Sequence, residues 1–185
     1  MKATGIVRRI DDLGRLVIPK EIRRTQRIHE GDPIEIYTNR EGEIMLKKYS
    51  PLVELGKFAS DYAESIAMVT GGLVCVTDRE NIIAAAGPKK KEYLGKDLSK
   101  ELENLINNRV RLKKNESTID CIKICENDEQ QYSKQIVSTI ITNGDCMGAV
   151  VLCSGGSGIE KSDIDMRSAE KIVQTACDFL GKQLE

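Results

Sequence analysis

No stretch of this chain stays apolar for the roughly 18–20 residues that cross a bilayer, and Met1-Lys2 leads into polar sequence, so neither a membrane span nor a secretory leader is expected. Histidine is nearly missing. His29 stands alone among 185 residues, which takes away the usual partner of a nucleophilic cysteine and a common zinc ligand. Net charge is missing as well, with 28 basic side chains against 29 acidic ones. Sulfur is present: Cys75, Cys121, Cys125, Cys146, Cys153 and Cys177 are spread through apolar segments. Cys121-x-x-x-Cys125 sits in an apparent strand, far in sequence from His29. The reading is therefore buried, reduced thiols in a cytosolic protein, with no metal site, no cofactor and no catalytic residue expected.

The balanced total hides an uneven distribution. Six of the eleven arginines, Arg8, Arg9, Arg15, Arg23, Arg24 and Arg27, fall within twenty residues. Residues 1–30 hold eight basic groups against four acidic ones, whereas residues 51–185 hold 17 against 21. A basic head on an acidic body suggests a polyanion partner for one end only. The alternative is a solvated basic face, but guanidiniums held on short ordered elements present planar forks of donors at set positions, which suits phosphate.

The head is patterned. Ile6–Ile10 and Arg15–Ile18 read as strands across the turn Asp11-Asp12-Leu13-Gly14, and Pro19 stops the second and opens a short helix over Lys20–Gln26. Arg23 and Arg27, four apart, would share a helical face, with Arg24 one position round. Strands over Ile34–Tyr37 and Glu43–Tyr49 complete a β-β-α-β-β unit across residues 1–50. Fifty residues without disulfide or metal bury too little to be stable alone. Arg15–Ile18 is apolar on both faces, Leu16 and Ile18 on one and Val17 on the other, and such a strand wants cover on both sides. A second copy of the chain supplies it, and its two-fold axis would double the arginines along a duplex.

The body, residues 51–185, reads as helix, two strands, helix, three strands, helix: an α+β domain with one antiparallel sheet. A linker helix over residues 51–69 starts with Ser50 as N-cap and Pro51 in its first turn, and Gly71-Gly72 ends it. Strands follow at Leu73–Val76 and Ile82–Ala86, then a helix near Ser99–Asn108. Three more strands, around Thr118–Cys125, Gln131–Thr142 and Met147–Cys153, precede a closing helix at residues 162–183. Asn143-Gly144 is a hairpin signal. The apolar stripes of the first and last helices serve packing on the sheet, a helix-bundle contact between copies, or both. Gly155-Gly156-Ser157-Gly158 lacks the Lys-Ser/Thr of a phosphate loop and reads as a connection. Lys89-Lys90-Lys91 reads as a solvated run, with auxiliary DNA contact as the lesser reading.

Taken together, GIVRRIDDLGRLVIPKEIRRTQRIHEGDPIEIY (Gly5–Tyr37) resembles the swapped-hairpin DNA-binding domain of the AbrB family of bacterial transition-state regulators, and the match runs on through Tyr49. The order of elements behind it is similar to a GAF domain, without a diagnostic motif. The resemblance implies a swapped-hairpin β-barrel that is an obligate dimer, binding double-stranded DNA through Arg8, Arg15, Arg23 and Arg24, with Arg9 at a position where a basic residue is usual. Pairing of Arg9 or Arg27 with Asp11, Asp12 or Glu30 remains the structural alternative for those two. It further implies a sporulation-stage transcription regulator, activating or repressing by gene, cytoplasmic and nucleoid-associated in the forespore. A tetramer through the GAF-like domain and an unidentified small ligand there complete the expectation. Two other classes share parts of this plan: an antitoxin with the same DNA-binding fold, and a GAF-type methionine sulfoxide reductase using cysteines. Full periodicity in the body argues against the first, and thiols without a neighbouring histidine against the second.

Overall fold

The computed structural model describes residues 5–110, 112–115, 121–129, 132–156 and 165–185. The chain divides into two units, Met1–Tyr49 and Ser50–Glu185.

In the first unit, Gly14 N–H donates to the Asp11 carbonyl (3.0 Å) and Asp11 N–H to the Arg15 carbonyl (3.1 Å). Gly14 takes φ +75°, which a side chain at that position would resist. Among the described residues, the segments flanking this turn, expected as strands, belong to no ladder. Helix α1 (Lys20–Thr25) follows Pro19. Strands β1 (Ile34–Thr38) and β2 (Ile44–Lys48) pair antiparallel, with Ile36 opposite Leu46. Apart from Pro19, no apolar residue between 5 and 49 is buried, and Val7 and Val17 are 86% and 71% exposed.

The second unit opens with two helices where one was expected. Helix α2 (Pro51–Glu54) and helix α3 (Gly56–Thr70) meet at Leu55, beside a glycine, the weakest helix former after proline. The Ser50 hydroxyl does not cap α2 but donates to the Asp78 carboxylate (3.2 Å). Gly71 ends α3 in the left-handed conformation, as expected. Strands β3 (Leu73–Thr77) and β4 (Ile82–Ala86), helix α4 (Lys100–Asn107), strands β5 (Leu112–Asn115), β6 (Lys134–Thr142) and β7 (Asp145–Ser154), and helix α5 (Met166–Lys182) complete it. The sheet order is β4-β3-β7-β6-β5, antiparallel throughout. Asn143 (φ +49°) and Gly144 (φ +84°) turn β6 into β7, the pair of left-handed residues that a type I′ hairpin requires.

One expected strand is displaced. The run around Thr118–Cys125 gives way to β5 at Leu112–Asn115; residues 116–120 lie outside the described residues, and Cys121–Cys125 is not a strand. Side chains replace a ladder there. The Gln135 amide bonds both the N–H and the carbonyl of Ile122 (2.8 Å each), and the Asp128 carboxylate accepts from Ile124 N–H (3.1 Å). Helix α5 starts at Met166, where the Asp165 carboxylate accepts from Arg167 and Ser168 N–H. The expected first residues of that helix, 162–164, and Ser157-Gly158 of the glycine-rich connection, lie outside the described residues.

Alternation along the strands builds two cores. Val74, Val76, Ile136, Ile140, Val150 and Leu152 face the inner sides of α3 and α5, where Ala59, Ala63, Ile66, Val173, Ala176 and Leu180 are buried. Leu73, Cys75, Val137, Val151 and Cys153 face the other way, beneath Leu102, Leu105 and Ile106 of α4 and Tyr93, Ile124 and Tyr132. Both faces of the sheet being covered explains its nearly unbroken apolar strands.

Candidate nucleic-acid interface

All five arginines expected to contact DNA are exposed. Arg8 and Arg9 precede the Asp11–Gly14 turn and Arg15 leaves it. Arg23 and Arg24 occupy the last turn of α1, where positive charge complements the helix dipole. Because Pro19 fixes the start of a helix only six residues long, these two side chains hang on a short rigid post.

Arg15 is held. Asp11 Oδ2 accepts from its Nε (2.8 Å), while Asp11 Oδ1 accepts from the backbone N–H groups of Arg15 (2.7 Å) and Leu13 (3.1 Å). Bonds from the Arg15 backbone and guanidinium keep the Asp11 carboxyl below the usual carboxylate range. The alternative that Asp11 serves Arg9 therefore does not describe this chain: the acid is taken by Arg15.

Arg27 does not share a helical face with Arg23. It lies beyond the C-cap residue Gln26 with φ +51°, and Ile28 N–H donates to the Arg23 carbonyl (2.7 Å) across it. Its carbonyl accepts from Lys48 Nζ (2.8 Å), which ties the end of α1 to β2. Lys48 Nζ is also 3.3 Å from Asp32, whose carboxylate accepts from His29 N–H (2.8 Å). Burial alone would raise the Asp32 carboxyl, but the His29 N–H and Lys48 outweigh it and hold it below its ordinary value. Asp32 and Lys48 went unnoticed in the sequence. No local spacing links them to α1, and only the fold brings them there.

In the second unit, a small pocket of about 110 Å³ is lined by residues including Tyr93, Cys125 and Asp128. Tyr93 and Tyr132, both buried, bring their hydroxyls 2.6 Å apart and 3.0 and 2.8 Å from the buried Asp128 carboxylate, three contacts among which two phenolic protons are shared. A shallow pocket of about 360 Å³ lies elsewhere, lined by residues including Val53, Asp78, Ile83 and Leu94. Among the described residues no cluster of three or more His, Cys, Asp or Glu is placed to hold a metal ion. Five of the six thiols are buried and none is in a disulfide. Burial pushes up the Cys75, Cys125, Cys146 and Cys153 thiols, and that of Cys177 to about 12, which makes them poor nucleophiles. Lys90 lies 3.8 Å from Glu64, at a turn of 3-10 helix. No helix of the described chain is long and apolar enough to cross a membrane.

Comparison with known proteins adds to this geometry. Residues 54–185 match the family model described as stage V sporulation protein T C-terminal, transcription factor, and residues 7–53 match that of MazE, a bacterial antitoxin for antidote-toxin recognition. The chain is 47% identical over 186 residues to stage V sporulation protein T of Bacillus subtilis, spanning 100% of this chain and 99% of that protein. It is 61% identical over 51 residues to the transition state regulatory protein AbrB of the same organism, covering 28% of this chain and 52% of that one. The GAF domain of an Acinetobacter phosphoenolpyruvate-protein phosphotransferase superimposes with a TM-score of 0.52 at 14% identity, covering 75% of this chain and 84% of the other, a likeness of fold alone.

Proposed function

This chain belongs to the stage V sporulation protein T family, and from that premise we propose how it works as a DNA-binding regulator of sporulation-stage transcription. The observation that carries the reading is the first unit's surface. Its arginines are exposed on an ordered turn and helix, while most of its aliphatic side chains, Val7 and Val17 among them, are exposed in one chain. A second copy closes that barrel, so residues 1–50 form an obligate dimer, and the domain that follows, residues 51–185, assembles and regulates it. Arg8, Arg9, Arg15, Arg23 and Arg24 of each copy contact the DNA backbone and sense groove shape, since these residue types favour phosphate and groove-width contacts over a base-by-base code.

The second unit links dimers. Helices α3 and α5 pack together through Tyr62 and Phe179, whose rings stack at 4.6 Å, yet α3 leaves Phe58, Met68 and Val69 exposed at 47%, 85% and 62%. A helix-bundle contact between copies covers these residues and yields a tetramer with two DNA-binding heads, whose linkage raises the effective concentration of the second head. A small ligand acting on this domain would change the assembly. The protein activates or represses according to promoter, works on the nucleoid of the forespore cytoplasm, and has no catalytic role, consistent with its raised thiols.

Fluorescence anisotropy of the full chain on a duplex, titrated across salt, tests the reading. Arginines on two chains neutralise about six to eight phosphates, so log affinity falls against log salt with a slope of about −5 to −7. A slope shallower than about −2 contradicts it. Mass measurement of the full chain at micromolar concentration gives a tetramer if the second contact exists and a dimer if it does not.

A further inference from the structure

Two aspartates stand side by side in the arginine-rich turn, and they differ. Asp11 accepts three bonds: one oxygen takes the backbone N–H groups of Leu13 and Arg15, and the other takes Arg15 Nε at 2.8 Å. Asp12 is exposed and makes no bond to an arginine among the described residues. Charge alone treats the two alike. Each places a carboxylate among guanidiniums meant for phosphate, at distances over which salt screens incompletely, and each should weaken binding.

Geometry separates them. An arginine side chain free to turn must be ordered before it can meet a phosphate, and that ordering subtracts from affinity. Asp11 has done the ordering in advance. Its carboxylate builds the turn with one oxygen and fixes the guanidinium with the other, yet the Arg15 side chain remains 70% exposed, leaving its outer edge to meet a ligand. We propose that Asp11 is a positioning residue for DNA recognition, an acid that strengthens binding to a polyanion by presenting Arg15. The proposal rests on the reading of the first unit as a DNA-binding surface.

The test compares Asp11→Asn, Asp12→Asn, Arg15→Ala and the double variant Asp11→Asn/Arg15→Ala in the full chain. Each is titrated at fixed salt against a duplex of about 30 base pairs containing A-tracts. Asp11→Asn removes the same charge as Asp12→Asn one residue away. Positioning gives opposite signs: Asp12→Asn binds about twofold tighter through reduced repulsion, and Asp11→Asn binds about five- to tenfold weaker. In the Arg15→Ala background the Asp11 change costs nothing further, because there is no guanidinium left to present. If Asp11→Asn binds as tightly as wild type or tighter while Arg15→Ala is weak, positioning is overturned and the DNA-binding reading stands. If Arg15→Ala binds like wild type, that reading fails too. Should Asp11→Asn lower the melting temperature, the unaltered protein decides the matter by nitrogen-15 NMR. Slowed solvent exchange of the Arg15 Nε–H relative to that of exposed Arg9 supports the hold, and equal exchange overturns it.

Discussion

Between residues 5 and 49 no large aliphatic side chain is buried, whereas the sheet of the second unit is covered on both faces by two separate cores. The charges are arranged to match. The first unit displays its arginines on a surface held by bonds that include Asp11 to Arg15 and Asp32 to His29 and Lys48. In the second unit a polar triad of two tyrosines and an aspartate is buried. A unit that buries no large aliphatic residue in one chain recovers little of the conformational entropy lost in ordering it. The difference teaches that the second unit has cores of its own within one chain, while the first leaves its large aliphatic residues outside any core.

The sharpest way to break that comparison is Val17→Asp. In one chain Val17 is 71% exposed, and a charge at such a site changes stability by no more than about 0.5 kcal/mol. If a second chain buries it, the unpaired carboxylate costs roughly 3 kcal/mol or more and DNA binding collapses with the dimer. Leu102→Ala probes the opposite side. Leu102 is fully buried on the inner face of α4, so the second unit should lose about 2–5 kcal/mol. Chemical denaturation followed through the tyrosines of that unit would show this. DNA binding by the first unit should persist. Next come Arg23→Ala and Arg24→Ala, each expected to weaken duplex binding by about 1–3 kcal/mol with melting nearly unchanged. Unfolding of both variants would make those residues structural instead.

The smallest expected effect is on pH. The folded Asp32 carboxyl titrates below its ordinary value of 3.8. Its ionised form therefore adds stability that is complete above that value and is lost as pH falls through the lower folded pKa. Acid unfolding of residues 1–49, compared with the same titration of Asp32→Asn, should show a pH-dependent contribution below about pH 4 that the variant lacks. Identical curves would remove the tie that Asp32 makes between β2 and the end of α1.

Much of this was legible in the sequence where a single residue dictates local geometry. Gly71 stops a helix and Asn143-Gly144 turns a hairpin. What escaped was decided at a distance. Cys121-Ile122-Lys123-Ile124-Cys125 alternates like a strand, but Gln135 and Asp128 take its backbone groups. Ser50 had the chemistry of a cap, and Asp78 claimed its hydroxyl. Arg27 kept helical spacing from Arg23 while its backbone had already left the helix. At the interface the arginines stood out by their density. The acids that organise them did not, because an aspartate four residues before an arginine looks the same whether it holds that arginine or merely dilutes its charge.

Sedimentation equilibrium of residues 1–50 across micromolar concentrations, with melting recorded at each, tests most directly whether the first unit is completed by a second copy. A folded dimer whose melting temperature rises with concentration is the predicted result. A cooperatively folded monomer, melting at one temperature regardless of concentration, would contradict it.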